Sequence, residues 1–186
     1  MSCLELYDRD AAVAYARQYA LSFNSQYANY ANSGGDCMNF VSQCLHAGGM
    51  PIKQQGFLWY GARSGSSASW KVVDDFLAYI RKSFGSPRLM FECYATPEHL
   101  KRGDIVFTVA KGTAGDISRN PSHIVILSED FATQGQMIVC GHTEPQLNAV
   151  KKRDDERCTY IHIPDESILY DYIDPDYEDE TDKTTA

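Results

Sequence analysis

The strongest chemical signal in the chain is the run Gly34-Gly35-Asp36-Cys37-Met38-Asn39-Phe40-Val41-Ser42-Gln43-Cys44-Leu45. Phe40, Val41, Cys44 and Leu45 recur at helical spacing, which predicts a helix from Cys37 to His46 or Ala47. Asp36 stands at its N-cap, Gly48-Gly49 close it, and Pro51 blocks continuation. Cys37 therefore falls in the first helical turn. A thiol there meets unpaired backbone amides and the positive end of the helix dipole, which favour thiolate, the nucleophilic form. Gly34 and Gly35 allow a sharp turn and leave room for a carbonyl beside the Cys37 N–H, a ready oxyanion donor. The competing reading of the same residue is a small buried apolar side chain at a helix start. Cys44, two turns along the apolar stripe, reads as core. Cys3, Cys93, Cys140 and Cys158 have no comparable setting.

A cysteine nucleophile needs an imidazole base, and the base needs a group to orient it. His123 opens the apolar run Ser122-His123-Ile124-Val125-Ile126-Leu127, after the polar loop from Lys111 to Pro121. His142 ends the next strand pattern, and either it or Glu144 would be placed to orient the base. Each of these also fits an ordinary strand-end or loop residue. His46 sits at the far end of its helix, His99 in a polar linker and His162 on a strand face, so these three are set aside. Trp59, Tyr60, Tyr27 and Tyr30 lie in loops beside the expected cleft, where they would line a substrate or simply pack.

These residues have to be carried by definite elements. Asp8 is placed to cap a helix from Arg9 to Leu21, with Ala12, Tyr15, Ala16 and Tyr19 at helical intervals. Residues 24–35 read as a loop, as do residues 53–69, which are rich in Ser and Gly. A third helix is expected from about Trp70 to Phe84, striped by Val72, Val73, Phe76, Leu77 and Ile80. After Pro97 the period becomes that of strands, at 104–109, 122–127, 136–140 and 159–163. Helices followed by an antiparallel meander define an α+β domain.

The 186 residues suit one domain with a tail, and 44% hydrophobic and 23% charged residues are ordinary for a globular chain. The net charge of −8 lies wholly in residues 165–186, where nine acids face Lys183 alone; residues 1–164 hold equal numbers of each sign. A neutral body without a basic stripe speaks against nucleic acid as a partner, and the acidic tail reads as a solvated end. No apolar run approaches the roughly 20 residues of a membrane span, and residues 1–10 show no secretory leader. The six cysteines are too sparse for a disulfide scaffold and lack zinc-ligand spacing, so no metal or other cofactor is expected. Signatures of serine hydrolases, zincins and nucleotide-binding loops are missing from the sequence.

Taken together, Gly35-Asp36-Cys37 to Leu45, Leu100-Lys101-Arg102-Gly103-Asp104-Ile105-Val106-Phe107, Ser69-Trp70, Ser122-His123 and His142-Thr143 resemble the papain-like cysteine hydrolases of the NlpC/P60 and CHAP type. Within that group the chain is most similar to the putative amidase domain family, over roughly residues 7–163. The resemblance implies a papain-like fold and a cysteine-dependent amidase or peptidase, with Cys37 as nucleophile, His123 as base and His142 as third residue, Glu144 in reserve. Asp36, Trp59 and Tyr30 are expected at the substrate, a peptide of the bacterial cell-wall kind. Met38 and Glu144-Pro145 depart from the family pattern. A silent peptide- or glycan-binding module and an acyltransferase using the same dyad are the alternatives.

Overall fold

A computed structural model describes residues 7–56, 58–84, 91–109, 121–155 and 157–164, with the backbone alone at 81–84, 109 and 121. The acidic tail and the loop at 111–120 lie outside the described residues. Helix α1 (Arg9–Tyr19) starts where the Asp8 carboxylate accepts from the Ala11 N–H at 2.8 Å, satisfying one of the helix's unpaired donors. It buries Ala12, Val13 and Ala16, the small side chains that let a second helix approach closely. That helix is α2 (Cys37–Ala47), which buries nine consecutive residues from Cys37 to Leu45 and is therefore enclosed on nearly every side.

The expected third helix is broken in two. Helix α3 (Ala68–Lys71) ends at Val72, whose backbone is extended, and α4 (Val73–Phe84) starts immediately after. Val72 is consequently not on the apolar stripe but 40% exposed. Before α3, the loop at 53–69 contains a short hairpin, β1 (Gly61–Ala62) against β2 (Gly65–Ser66).

The rest of the chain supplies β3 (Glu92–Tyr94), a 3-10 turn (Pro97–His99), β4 (Ile105–Val109), β5 (Pro121–Leu127), α5 (Phe131–Gln134), β6 (Met137–Gly141), β7 (Gln146–Lys151) and β8 (Cys158–His162). Six of these strands form one antiparallel sheet in the order β3-β8-β4-β5-β6-β7. Successive side chains on a strand point to opposite faces, and the sheet obeys this closely. Ile105, Phe107, Ile124, Ile126, Cys140 and Ile161 join the core built by the helices. Val106, Val125, Leu127, Val139 and Tyr160 form a second core on the other face, with Leu100 and Met137. The molecule is thus an α+β domain with α1 to α4 on one face of an antiparallel sheet and the short α5 against the other, where Phe131 packs on the second core.

One buried ion pair ties the two halves of the chain. Arg9, 8% exposed at the first position of α1, lies with Nη1 2.8 Å from Asp104 Oδ1 just before β4. Asp104 also accepts from the Lys101 and Ile163 amides at 2.8 and 3.0 Å, and His162 Nδ1 stands 2.7 Å away. Arg9 donates further to the carbonyls of Arg102 and Ile163. Such saturation is what lets a charge pair survive burial. Tyr7 donates to the Gly103 carbonyl at 2.8 Å, and burial holds its phenol well above the usual tyrosine range. The Gly103-Asp104-Ile105 sequence is therefore an anchor for α1.

Candidate active site

The segment before α2 turns through Gly34 and Gly35, both in the left-handed region at φ 98° and 112°. A Cβ on Gly35 would also come within 3.0 Å of Thr143 Oγ1, so the position is restricted by conformation and by space. The turn sets Asp36 at the N-cap of α2 and Cys37 as its first residue.

Asp36 does not cap the helix. Its side chain makes no capping bond to the first turn; the expectation of a capping Asp36 is corrected here. Oδ1 accepts from the Tyr30 amide at 2.9 Å and from Asn39 Nδ2 at 2.8 Å, and Oδ2 lies 2.7 Å from His142 Nδ1. These donors pull the carboxylate to the side, and Asp36 is fully buried among them. The network then spreads. Asn39 Nδ2 also donates to the Ala28 carbonyl at 3.0 Å, and its Oδ1 accepts from the Trp70 indole N–H at 2.9 Å. Thr143 Oγ1 accepts from the Asp36 amide at 3.0 Å.

His142 is enclosed by the same cluster. It is 4% exposed, stacks on Phe40 at 4.1 Å between centroids, and has Phe23 edge-on at 5.0 Å. Its Nε2 lies 2.8 Å from the Tyr19 carbonyl at the end of α1. Its two ring nitrogens thus face two oxygen partners, the Asp36 carboxylate and the Tyr19 carbonyl. Both nitrogens are engaged there, and among the described residues His142 shares no hydrogen bond with His123, the base it was expected to orient.

The Trp70 indole is walled in. Tyr27 stacks on it at 5.6 Å, Trp59 tilts against it at 4.5 Å, and a Cβ on Gly61 would fall 2.2 Å from its Cε2. Trp59 is 0% exposed, so it packs and cannot touch a substrate. Tyr30 is half-buried, with its hydroxyl 2.7 Å from Ser66 Oγ and Lys71 Nζ 4.7 Å above its ring. Asp36 serves the network, which removes it from direct substrate contact as well.

Cys37 stands apart from all these bonds. It is 8% exposed, its thiol is free, and among the described residues it joins none of the hydrogen bonds that consume Asp36, Asn39, Trp70, His142 and Thr143. Cys44 is fully buried, and burial drives its thiol well above the ordinary range, with Cys140 adding to the rise. It is core, as expected.

His123 lies on β5, half-buried and paired with Thr108. Alternation sets it on the face of Val125 and Leu127, whereas Ile124 and Ile126 face the helices. Among the described residues it shares no hydrogen bond with Cys37. Burial lowers its pKa below 6.5; Lys151 lowers it further, and Glu144 works in the opposite direction. Glu144, exposed in the turn after β6, is thus the acid whose charge reaches His123. Where β5 begins, the register against β4 shifts: Val109 pairs with Pro121 and Thr108 with His123, leaving Ser122 between them as a bulge.

The sequence profile of the family described as "Putative amidase domain" matches residues 6–162, and the chain belongs to that family. It is 35% identical over 103 residues to the uncharacterized protein YhbB of Bacillus subtilis, and 35% identical over 99 residues to the uncharacterized protein YjcM of the same organism. The matched regions cover 54% and 53% of this chain but 32% and 22% of those proteins, so this chain spans only a minor part of either relative. No solved structure matches. Family membership points to a hydrolase acting on amides.

Proposed function

We propose that the protein is a cysteine-dependent amidase or peptidase on a papain-like frame of the NlpC/P60 and CHAP type, with Cys37 as nucleophile and His123 as base. One observation carries the reading. Asp36 and Asn39 are bonded to each other and to His142 and Trp70 around the start of α2, while the thiol at that start has no hydrogen-bond partner among the described residues and the carboxylate that would cap the helix is held aside. The amides of the first turn are left to face a developing negative charge.

The chemistry follows from that placement. The Cys37 thiolate attacks an amide carbonyl, and the oxyanion faces the first-turn N–H groups. The C–N bond breaks as His123, having taken the thiol proton, returns it to the leaving amine. Water then attacks the thioester, giving up a proton to His123, and releases the carboxylate and the thiol. Burial favours the neutral imidazole needed at the start of this sequence. For the dyad to close, the start of β5 must re-aim His123 toward Cys37, and the bulge at the neighbouring Ser122 is a place where one extra residue re-aims side chains. Glu144 is the orienting acid. Peptides of the bacterial cell wall are the proposed substrate class.

The placement of His123 on the sheet face away from the helices, with no hydrogen bond to Cys37 among the described residues, favours a second reading, a binding module of the same fold without turnover. Digestion of purified peptidoglycan and of a peptide library, read by mass spectrometry, decides between them. New amine and carboxylate ends with the wild type and none with Cys37→Ser support the enzyme. Ligand retention by both proteins without any cleavage supports the binding module. Products joined to an added amine would mark acyl transfer instead.

A further inference from the structure

We infer that His142 and Asn39 are positioning residues that keep the Asp36 carboxylate from capping α2, thereby preserving the anion site at Cys37. The inference rests on the nucleophile reading above and goes beyond it by assigning the surrounding network a task. An aspartate at an N-cap ordinarily turns its carboxylate onto the amides of the second or third helical residue. Asp8 does so at α1, 2.8 Å from the Ala11 N–H. Asp36 occupies the same position at α2, and its two oxygens instead take three donors: the Tyr30 amide, Asn39 Nδ2 and His142 Nδ1.

Among the described residues only His142 binds Oδ2, and its second nitrogen is fixed by the Tyr19 carbonyl, so the ring anchors the carboxylate to the end of α1. Release of Oδ2 would have two consequences at Cys37. The carboxylate would take the amides that a thiolate or oxyanion uses, and it would bring a like charge beside the sulfur. Each disfavours the thiolate. The ionisable groups tied to this network are Tyr19, whose carbonyl holds His142, Tyr30, whose amide holds Asp36, and Lys71 over the Tyr30 ring, and each stays in place in the variants that follow.

The test is the rate of Cys37 alkylation by iodoacetamide from pH 5 to 9, resolved by peptide mass spectrometry with Cys44 as internal control. His142→Phe keeps the stacking on Phe40 and removes both donors. It is expected to slow Cys37 labelling at pH 7 about tenfold and to shift the profile to higher pH. His142→Gln, which retains a donor for Oδ2, is expected to label near the wild-type rate. Adding Asp36→Ala to His142→Phe removes the freed carboxylate and is expected to restore labelling, although it also deletes the bonds from the Tyr30 amide and Asn39 Nδ2. A purely structural role predicts the reverse: a loosened fold labels Cys37 and Cys44 faster. Wild-type-like labelling of His142→Phe, or a double variant no faster than the single one, overturns the inference. A wild-type Cys37 that labels no faster than Cys44 overturns the nucleophile reading itself. Should the double variant not fold, the contrast between His142→Phe and His142→Gln decides alone.

Discussion

Helices α1 and α2 both begin with an aspartate followed by a residue with a reactive or charged head, and the two starts are wired in opposite ways. At α1 the aspartate caps the helix, and the following Arg9 is bound to Asp104 and two carbonyls. At α2 the aspartate is drawn off by Tyr30, Asn39 and His142, and the following Cys37 has no hydrogen-bond partner among the described residues. The first arrangement satisfies the helix end and fixes the chain. The second satisfies the aspartate and leaves the helix end available. A local sequence pattern that looks alike in both places thus caps the helix in one and leaves it uncapped in the other, which under the proposed function is where chemistry takes place, and the distinction comes from donors far away in the chain.

The largest test of this contrast is to remove each head group. Cys37→Ser is expected to bring amide hydrolysis down to background with an unchanged melting temperature, measured by product formation and circular dichroism. Activity that survives the substitution would end the catalytic reading. At the other helix, Arg9→Met is expected to leave Asp104 buried without its cation and to cost about 3–5 kcal/mol in urea unfolding. A loss below about 1 kcal/mol would show that His162 and the two amides suffice for Asp104.

Smaller effects sharpen the comparison. Asp8→Ala deletes a working cap and should destabilise by about 1 kcal/mol. The acid limb of the activity profile should track His123. Its buried ring binds a proton less readily than a free histidine, so an NMR titration should place its midpoint below 6.5. The sign for stability follows: on acidification through 6.5 the unfolded chain takes up this proton first, so His123 makes the fold weaker at low pH. His123→Gln should reduce the loss of urea stability between pH 7 and pH 5.5. The least perturbing change lies on β7: Val150→Thr, at a side chain 61% exposed, should alter stability by less than about 0.5 kcal/mol.

Much of the scaffold was legible because it is periodic. Phe40, Val41, Cys44 and Leu45 announced α2, and the apolar alternation of 104–109 and 122–127 announced the two central strands. Val72 misled because its spacing fits the stripe of Phe76 and Ile80, while its backbone is extended and separates α3 from α4. Strand β7 was hidden by its polar, largely exposed residues and by Asn148, whose φ is +47°. Cys37 was legible from its place after two glycines. The role of Asp36 was not, since a capping aspartate and a diverted one share the same local sequence, and the difference lies in His142, more than a hundred residues away. The burial of Trp59 was equally invisible, because an aromatic in a Ser- and Gly-rich loop gives no periodicity by which to judge its depth.

The bare backbone of Gly61 has a reach beyond its own hairpin. A methyl group there would strike the Trp70 ring at 2.2 Å, and that ring's N–H holds Asn39, which in turn holds Asp36. A side chain at this hairpin would therefore be felt at Asn39 and Asp36, so the freedom of this position to vary is set by residues well removed from it in sequence.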